Sequence, residues 1–273
     1  MTPEDALPQE PDETPPAFDD DEAPAVDDDG EILDLSEDML HRERIDLEAG
    51  MSPMPPATIL IILACALIFG RQIQIGGLDN VQRVVETGAM QRDAVLKGEF
   101  WRLVSSGFMH ASGDHLFGNM AMLFILGMAC EHAFGRRSYL FLYTACCVTG
   151  SLLTMMTPTP TVGASGAIFG LAGAIIALAW AHRDKIEIRD RRVGVVLGIW
   201  SVYTLTLGLL SQVVSNSCHL GGLLGGFVLG AILPPAILVD RLEHERSTIG
   251  RLEWITALTV LISTAVYFLP RLR

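Results

Sequence analysis

Seven apolar stretches, at residues 57–74, 115–134, 138–157, 165–182, 193–213, 218–239 and 252–270, constrain this chain more than any other feature. Each approaches the ~20 residues that an α-helix needs to cross the hydrocarbon of a bilayer. Lipid offers the backbone no hydrogen-bond partner, so such segments span as helices rather than as open strands. A water-soluble helical core is a poor alternative, because so many long runs would lack the polar face that a surface helix presents. Several runs are rich in Gly and Ala, which suits helices packed close together. The expected fold class is therefore an all-α polytopic membrane protein.

The net charge of -13 averages two unlike parts. Residues 1–50 hold 19 of the 32 Asp/Glu, but only Arg42 and Arg44 of the 19 Lys/Arg. The tail thus carries -17 and the other 223 residues carry +4. Its sequence, PEDALPQEPDETPPAFDDDEAPAVDDDGE, is Pro- and acid-rich and cannot bury enough apolar surface to offset its ordering entropy. Residues 1–50 are expected to be a disordered acidic tail ahead of a membrane domain at 51–273. The tail has neither the basic start nor the apolar centre of a signal peptide. Cys65, Cys130, Cys146, Cys147 and Cys218 lie in or at the ends of the apolar runs, without a C-x-x-C pair. Buried free thiols are expected, with no metal, no cofactor and no disulfide framework. No nucleic-acid partner is expected; the bilayer itself is the first partner.

Loop charge sets an orientation. The connections after the second, fourth and sixth runs are basic: Arg136 and Arg137, then Arg183, Lys185, Arg189, Arg191 and Arg192, then Arg241, Arg246 and Arg251. Those after the third and fifth runs, TPTPTVGA and SNS, carry no charge. The positive-inside rule puts the basic connections and the acidic tail in the cytoplasm, although Arg271 and Arg273 then fall outside. The long connection between the first two runs lies on the outer side. It contains the semi-apolar pieces LDNVQRVV and GEFWRLVSSGFMH, read as two short amphipathic segments in the interface with Trp101 as an anchor.

Polar residues at the outer ends of the runs mark a candidate site, since intramembrane polar groups are costly. His115 and Asn119 stand four apart and share one helix face. Ser165 opens the fourth run and His219 opens the sixth, at matching depth. Gly166 and Gly170 in one run, and Gly222, Gly226 and Gly230 in the other, allow close approach of the two helices. A serine hydroxyl needs an adjacent base to become a nucleophile, and histidine titrates in the useful range. Ser165 also starts a helix, where free amides and the dipole suit a developing oxyanion, to which Asn119 and His115 could add donors. No Asp or Glu is found in the outer halves of the second to sixth runs, so a Ser–His dyad is expected rather than a triad. No ionisable residue lies at mid-depth either, which argues against a transporter or channel.

These residues resemble the rhomboid family of intramembrane serine proteases. GASGAIFG (163–170) is similar to the family's GxSG nucleophile motif, and HLGGLLGG (219–226) to its base helix. MHASGDHLFGN (109–119) resembles H-x(4)-H-x(3)-N, Trp101–Arg102 its Trp-Arg pair, and EHAFG (131–135) its E-x-x-x-G element. The resemblance covers 57–239 and implies a six-helix bundle, with the seventh run as the extra C-terminal helix of the 6+1 form. It implies endopeptidase activity on membrane proteins whose transmembrane segments unwind near the outer surface, with no cofactor. Ser165 would be the nucleophile and His219 the base. His115, Asn119 and the Ser165 amide would form the oxyanion hole, with Gly163 leaving room for substrate backbone. His110, Arg102 and Glu131 would be structural. Phe169 stands where many members have Tyr, keeping the stacking face. An inactive rhomboid-like binding or quality-control protein is the alternative, although such relatives usually lack the Ser or the His. A bacterial inner membrane is the expected location.

Overall fold

The computed structural model describes residues 44–187, 191–210 and 215–238, with the backbone alone for 191–198 and Leu207. Helix α1 (Pro56–Gln74) corresponds to the first apolar run. Its start is capped from a distance: Glu131 Oε1 accepts from the Ala57 N–H at 3.1 Å, and Oε2 accepts from the Thr58 N–H at 2.9 Å. A carboxylate at a helix N-terminus satisfies free donors and complements the dipole. Along α1, Ala57, Ile61, Cys65 and Ile68 are buried, whereas Leu60, Leu63 and Leu67 are more than half exposed. A helix that is apolar on its outward face as well is suited to lipid rather than to water.

The connection to the next run is folded into more pieces than the expected two: α2 (Val81–Thr87), α3 (Arg92–Leu96), α4 (Arg102–Ser105) and a 3₁₀ turn (Ser106–Phe108). Gly88 (φ 128°) and Gly98 (φ 100°) follow α2 and α3 and end them in a backbone region that favours glycine. Trp101, expected as an interface anchor, is half-buried. Its ring lies where a Cβ at Gly88 would fall within 2.9 Å, and the Arg102 guanidinium sits 4.8 Å from its centroid. Arg102 donates to the Val85 and Ala89 carbonyls at 2.7 Å and to Glu99 at 2.8 Å, tying this connection to itself.

Helix α5 (Gly113–Thr154) carries the second and third runs, divided at Gly135, whose φ of 79° and ψ of 160° break the helical path. Helices α6 (Ser165–Ala181), α7 (Arg191–Leu210) and α8 (Asn216–Ile232) follow as the fourth to sixth runs. Helices α6 and α8 run parallel along their glycine faces. A Cβ at Gly222 would fall on the Gly166 carbonyl oxygen, one at Gly226 on that of Gly170, and one at Gly230 2.5 Å from the Ala174 Cα. By length and apolarity α1 and α5 qualify as membrane spans, while α6 and α8 have 17 residues each. At 1.5 Å per residue, 17 residues reach about 26 Å, slightly under the ~30 Å hydrocarbon thickness.

One expectation needs amendment. The tail was expected to be unstructured through residue 50, yet β1 (Ile45–Asp46) pairs in parallel with β2 (Ile186–Glu187) in the connection after α6. The Ile45 N–H donates to the Lys185 carbonyl at 2.8 Å and the Leu47 N–H to that of Glu187 at 2.9 Å, with Leu47 and Ile186 buried. Leu47, which follows the acidic stretch, supplies apolar burial for this pairing. The seventh run, 252–270, and residues 1–43 lie outside the described residues. All five cysteines are buried and free.

Candidate active site

The polar residues singled out above gather at one end of the bundle. Ser165 is the first residue of α6 and His219 lies in the first turn of α8, which Ser215 caps by accepting from the Cys218 N–H at 3.4 Å. Ser165 Oγ and His219 Nε2 are 2.8 Å apart, and both residues are buried at 4% and 2% exposure. The glycine contacts between α6 and α8 fix this distance, since neither helix could approach the other with larger side chains there. Phe169, one turn along α6, stacks on the imidazole at 4.7 Å between centroids and 20° between planes. Trp200 of α7 packs on Phe169 in turn, at 4.9 Å and 34°.

His115 and Asn119 come from the first turns of α5, where Ser112 accepts from the His115 N–H at 3.2 Å. Asn119 is buried, and its amide nitrogen and both His115 ring nitrogens have no hydrogen-bond partner among the described residues. Unpaired buried donors are expensive, and they become affordable where a ligand is to supply the acceptor. Gly163 adjoins them with φ 126°, and its N–H donates to the Ser106 carbonyl at 3.0 Å. A Cβ on Gly163 would stand 2.8 Å from His115 Cε1 and Nε2. Its smallness therefore makes room for the His115 ring. Met90 and Thr161 exchange backbone hydrogen bonds at 2.9 Å, which stitches the α1–α5 connection to the segment leading into Ser165.

The expectation that no carboxylate occupies this end needs one correction. Helix α5 begins at Gly113 rather than at 115, so Asp114 belongs to its first turn, where it is exposed. His219 Nδ1 is buried without a hydrogen-bond partner among the described residues, so Asp114 does not orient the ring. Gly166 serves close packing: a Cβ there would lie 2.5 Å from the Cys218 Sγ. Glu131 sits at the far end as the α1 cap, and Arg102 holds the α1–α5 connection, both away from Ser165. Among the described residues, no three His, Cys, Asp or Glu side chains are grouped to hold a metal ion.

Two further residues near the site were not singled out from sequence. Trp200 sits in an apolar run where one more aromatic carries no signal. Gln72 was legible in principle, as a polar residue at the end of an apolar run, by the same rule that found Ser165.

A rhomboid domain model matches residues 97–236, just over half of the chain. The chain belongs to the rhomboid family. Rhomboids are integral membrane proteins, in keeping with the outward apolar face of α1. Among curated relatives, the Rhomboid protease GluP of Bacillus subtilis (strain 168) is 34% identical over 180 residues, covering 66% of this chain and 35% of that protein. RHOMBOID-like protein 5 of Arabidopsis thaliana is 37% identical over 158 residues, covering 56% of this chain and 50% of its own. Rhomboid-like protease 1 of Toxoplasma gondii is 34% identical over 158 residues, covering 55% and 52%. The chain thus spans about a third to a half of the length of these relatives.

Proposed function

We propose that this rhomboid is an intramembrane serine endopeptidase working through a Ser165–His219 dyad. The observation that carries the reading is the 2.8 Å contact between Ser165 Oγ and His219 Nε2, made between two buried side chains. With the imidazole proton on Nδ1, Nε2 accepts the hydroxyl proton as Oγ attacks the carbonyl carbon of a substrate peptide bond. The oxyanion receives hydrogen bonds from His115, Asn119 and the Ser165 amide, which has no acceptor within its own helix. The imidazolium then returns the proton to the leaving amine as the C–N bond breaks. A water, deprotonated by the same base, releases the acyl group and restores Ser165.

The substrates are membrane proteins whose transmembrane segments can extend locally beside Ser165. The basic loop charges support a cytoplasmic side for those connections and a site that opens to the opposite face, and a bacterial inner membrane is the location that goes with this reading.

The test is cleavage of a fluorescent transmembrane peptide by the purified chain in detergent, beside Ser165→Ala and His219→Ala. Cleavage lost in both variants supports the dyad. Equal cleavage by Ser165→Ala refutes it. A wild type that neither cleaves nor takes up a serine-directed fluorophosphonate marks the chain as a non-catalytic rhomboid.

A further inference from the structure

Gln72 stands in the last turn of α1, and its side chain is wholly enclosed. An amide shut inside a membrane protein is costly unless both of its ends are bonded. Here both are bonded to one residue. Gln72 Nε2 donates to the His110 carbonyl at 3.2 Å, and Gln72 Oε1 accepts from the His110 N–H at 3.2 Å. The side chain thus treats a single residue of the α1–α5 connection as a neighbouring strand would, fixing its backbone in position and in plane.

The ring of His110 carries that restraint onward. It is fully buried and meets the His115 ring edge-on, with centroids 5.3 Å apart and planes at 69°. Burial pulls the His110 imidazole down to about 3, with the nearby His115 adding to the shift, so His110 is a neutral wall at ordinary pH. His115 also borders Gly163, two residues before Ser165. The His115 ring thus has His110 and residue 163 as close neighbours, and the position of His110 is set from α1.

We propose that Gln72 is a positioning residue for the oxyanion side of the site, holding the His115 ring in place through His110. This inference rests on the proteolytic reading above. It predicts that an amide on α1 that touches neither substrate nor Ser165 affects the chemical step through His115.

Gln72→Met keeps the length of the side chain and removes both hydrogen bonds. Placed in the wild type, it should lower kcat per titrated active site about tenfold, with KM within about twofold, as a sub-ångström displacement of a stabilising group would. In a His115→Ala background the same change should cost less than about twofold, because the group it positions is gone. Gln72→Glu keeps size and one acceptor, loses the donor to the His110 carbonyl, and should fall between Gln72→Met and wild type. Independently of turnover, the imidazole NMR signals of His115 should shift in Gln72→Met while those of His219 hold.

Equal losses in the two backgrounds would overturn the proposal and leave Gln72 as a purely structural anchor. So would an unchanged kcat per active site, or a His115→Ala protein as active as wild type. If the wild type neither cleaves nor labels, the proteolytic reading fails by itself, and an unmoved His115 signal in Gln72→Met would separately refute the positioning route.

Discussion

Replacing Gly163 by Ala tests the site most sharply, because two independent costs meet at one methyl group. The first is conformational. With φ at 126°, residue 163 occupies a region that side chains rarely adopt, at a cost of about 1–3 kcal/mol. The second is steric. The new Cβ would lie 2.8 Å from two atoms of the His115 ring. Carbon contacts settle near 3.5–4.0 Å, so the ring or the backbone must yield by about 1 Å. A displacement of that size at a catalytic group is worth about 10²-fold in rate, or about 2.7 kcal/mol in activation free energy. The expected result is kcat reduced about 10²-fold. Denaturant stability should fall by about 1–3 kcal/mol, with the protein still folded. The assay is cleavage of a transmembrane peptide in detergent, with active sites counted by fluorophosphonate. Gly70→Ala is the matched control, since a Cβ there meets nothing within 4 Å and the site is a helix interior. It should keep full activity and gain up to about 1 kcal/mol in stability. A folded Gly163→Ala protein within about threefold of the wild-type rate would refute the reasoning, because ~1 Å of crowding would then have no catalytic consequence.

Two further outcomes follow from the frame around the site. Gly226→Ala puts a methyl on the Gly170 carbonyl and must part α6 from α8, so stability should fall by about 1–3 kcal/mol in a mixed-micelle unfolding titration, with Ser165 labelling falling further than the folded fraction. Glu131→Ala removes the acceptor for the Ala57 and Thr58 N–H groups at the start of α1, so it should cost about 2–3 kcal/mol in the same titration while labelling per folded molecule stays at the wild-type level.

Much of this arrangement was legible before any coordinates. The first five apolar runs named their helices to within a few residues, because lipid demands length and apolarity without interruption, whereas the sixth, read as 218–239, ends at Ile232 ahead of Pro234 and Pro235, which cannot continue a helix. The four-residue glycine spacing named the faces along which α6 and α8 meet, since small side chains at that period serve little else. Ser165 and His219 stood out because polar groups are rare in such runs. What stayed hidden depends on tertiary partners. Glu131 reads as a carboxylate near a basic turn, and only folding shows it reaching 73 residues back to Thr58. The β1–β2 pair joins two-residue segments too short for any periodicity. Gly113 and Asp114 are not apolar, so the apolar run begins two residues after α5 does and does not mark Asp114 as part of its first turn. Gln72 is inconspicuous for a similar reason, as one polar residue in a stretch that reads like the fraying end of a helix.

The glycine register between α6 and α8 also fixes where the chain can change length. Ser165, Gly166 and Gly170 must stay in phase along one helix, and His219, Gly222 and Gly226 along the other. One residue inserted within either series turns everything beyond it by about 100°, carrying the glycines off the contact face and setting side chains against carbonyls. Insertions and deletions between Gly166 and Gly170, or between His219 and Gly226, should therefore be all but forbidden. A change of length between His182 and Ser215 leaves the α6–α8 register in phase, but within α7 it would turn Trp200 away from Phe169. Descendants of this sequence should therefore keep the residue count of the two short glycine-bearing stretches.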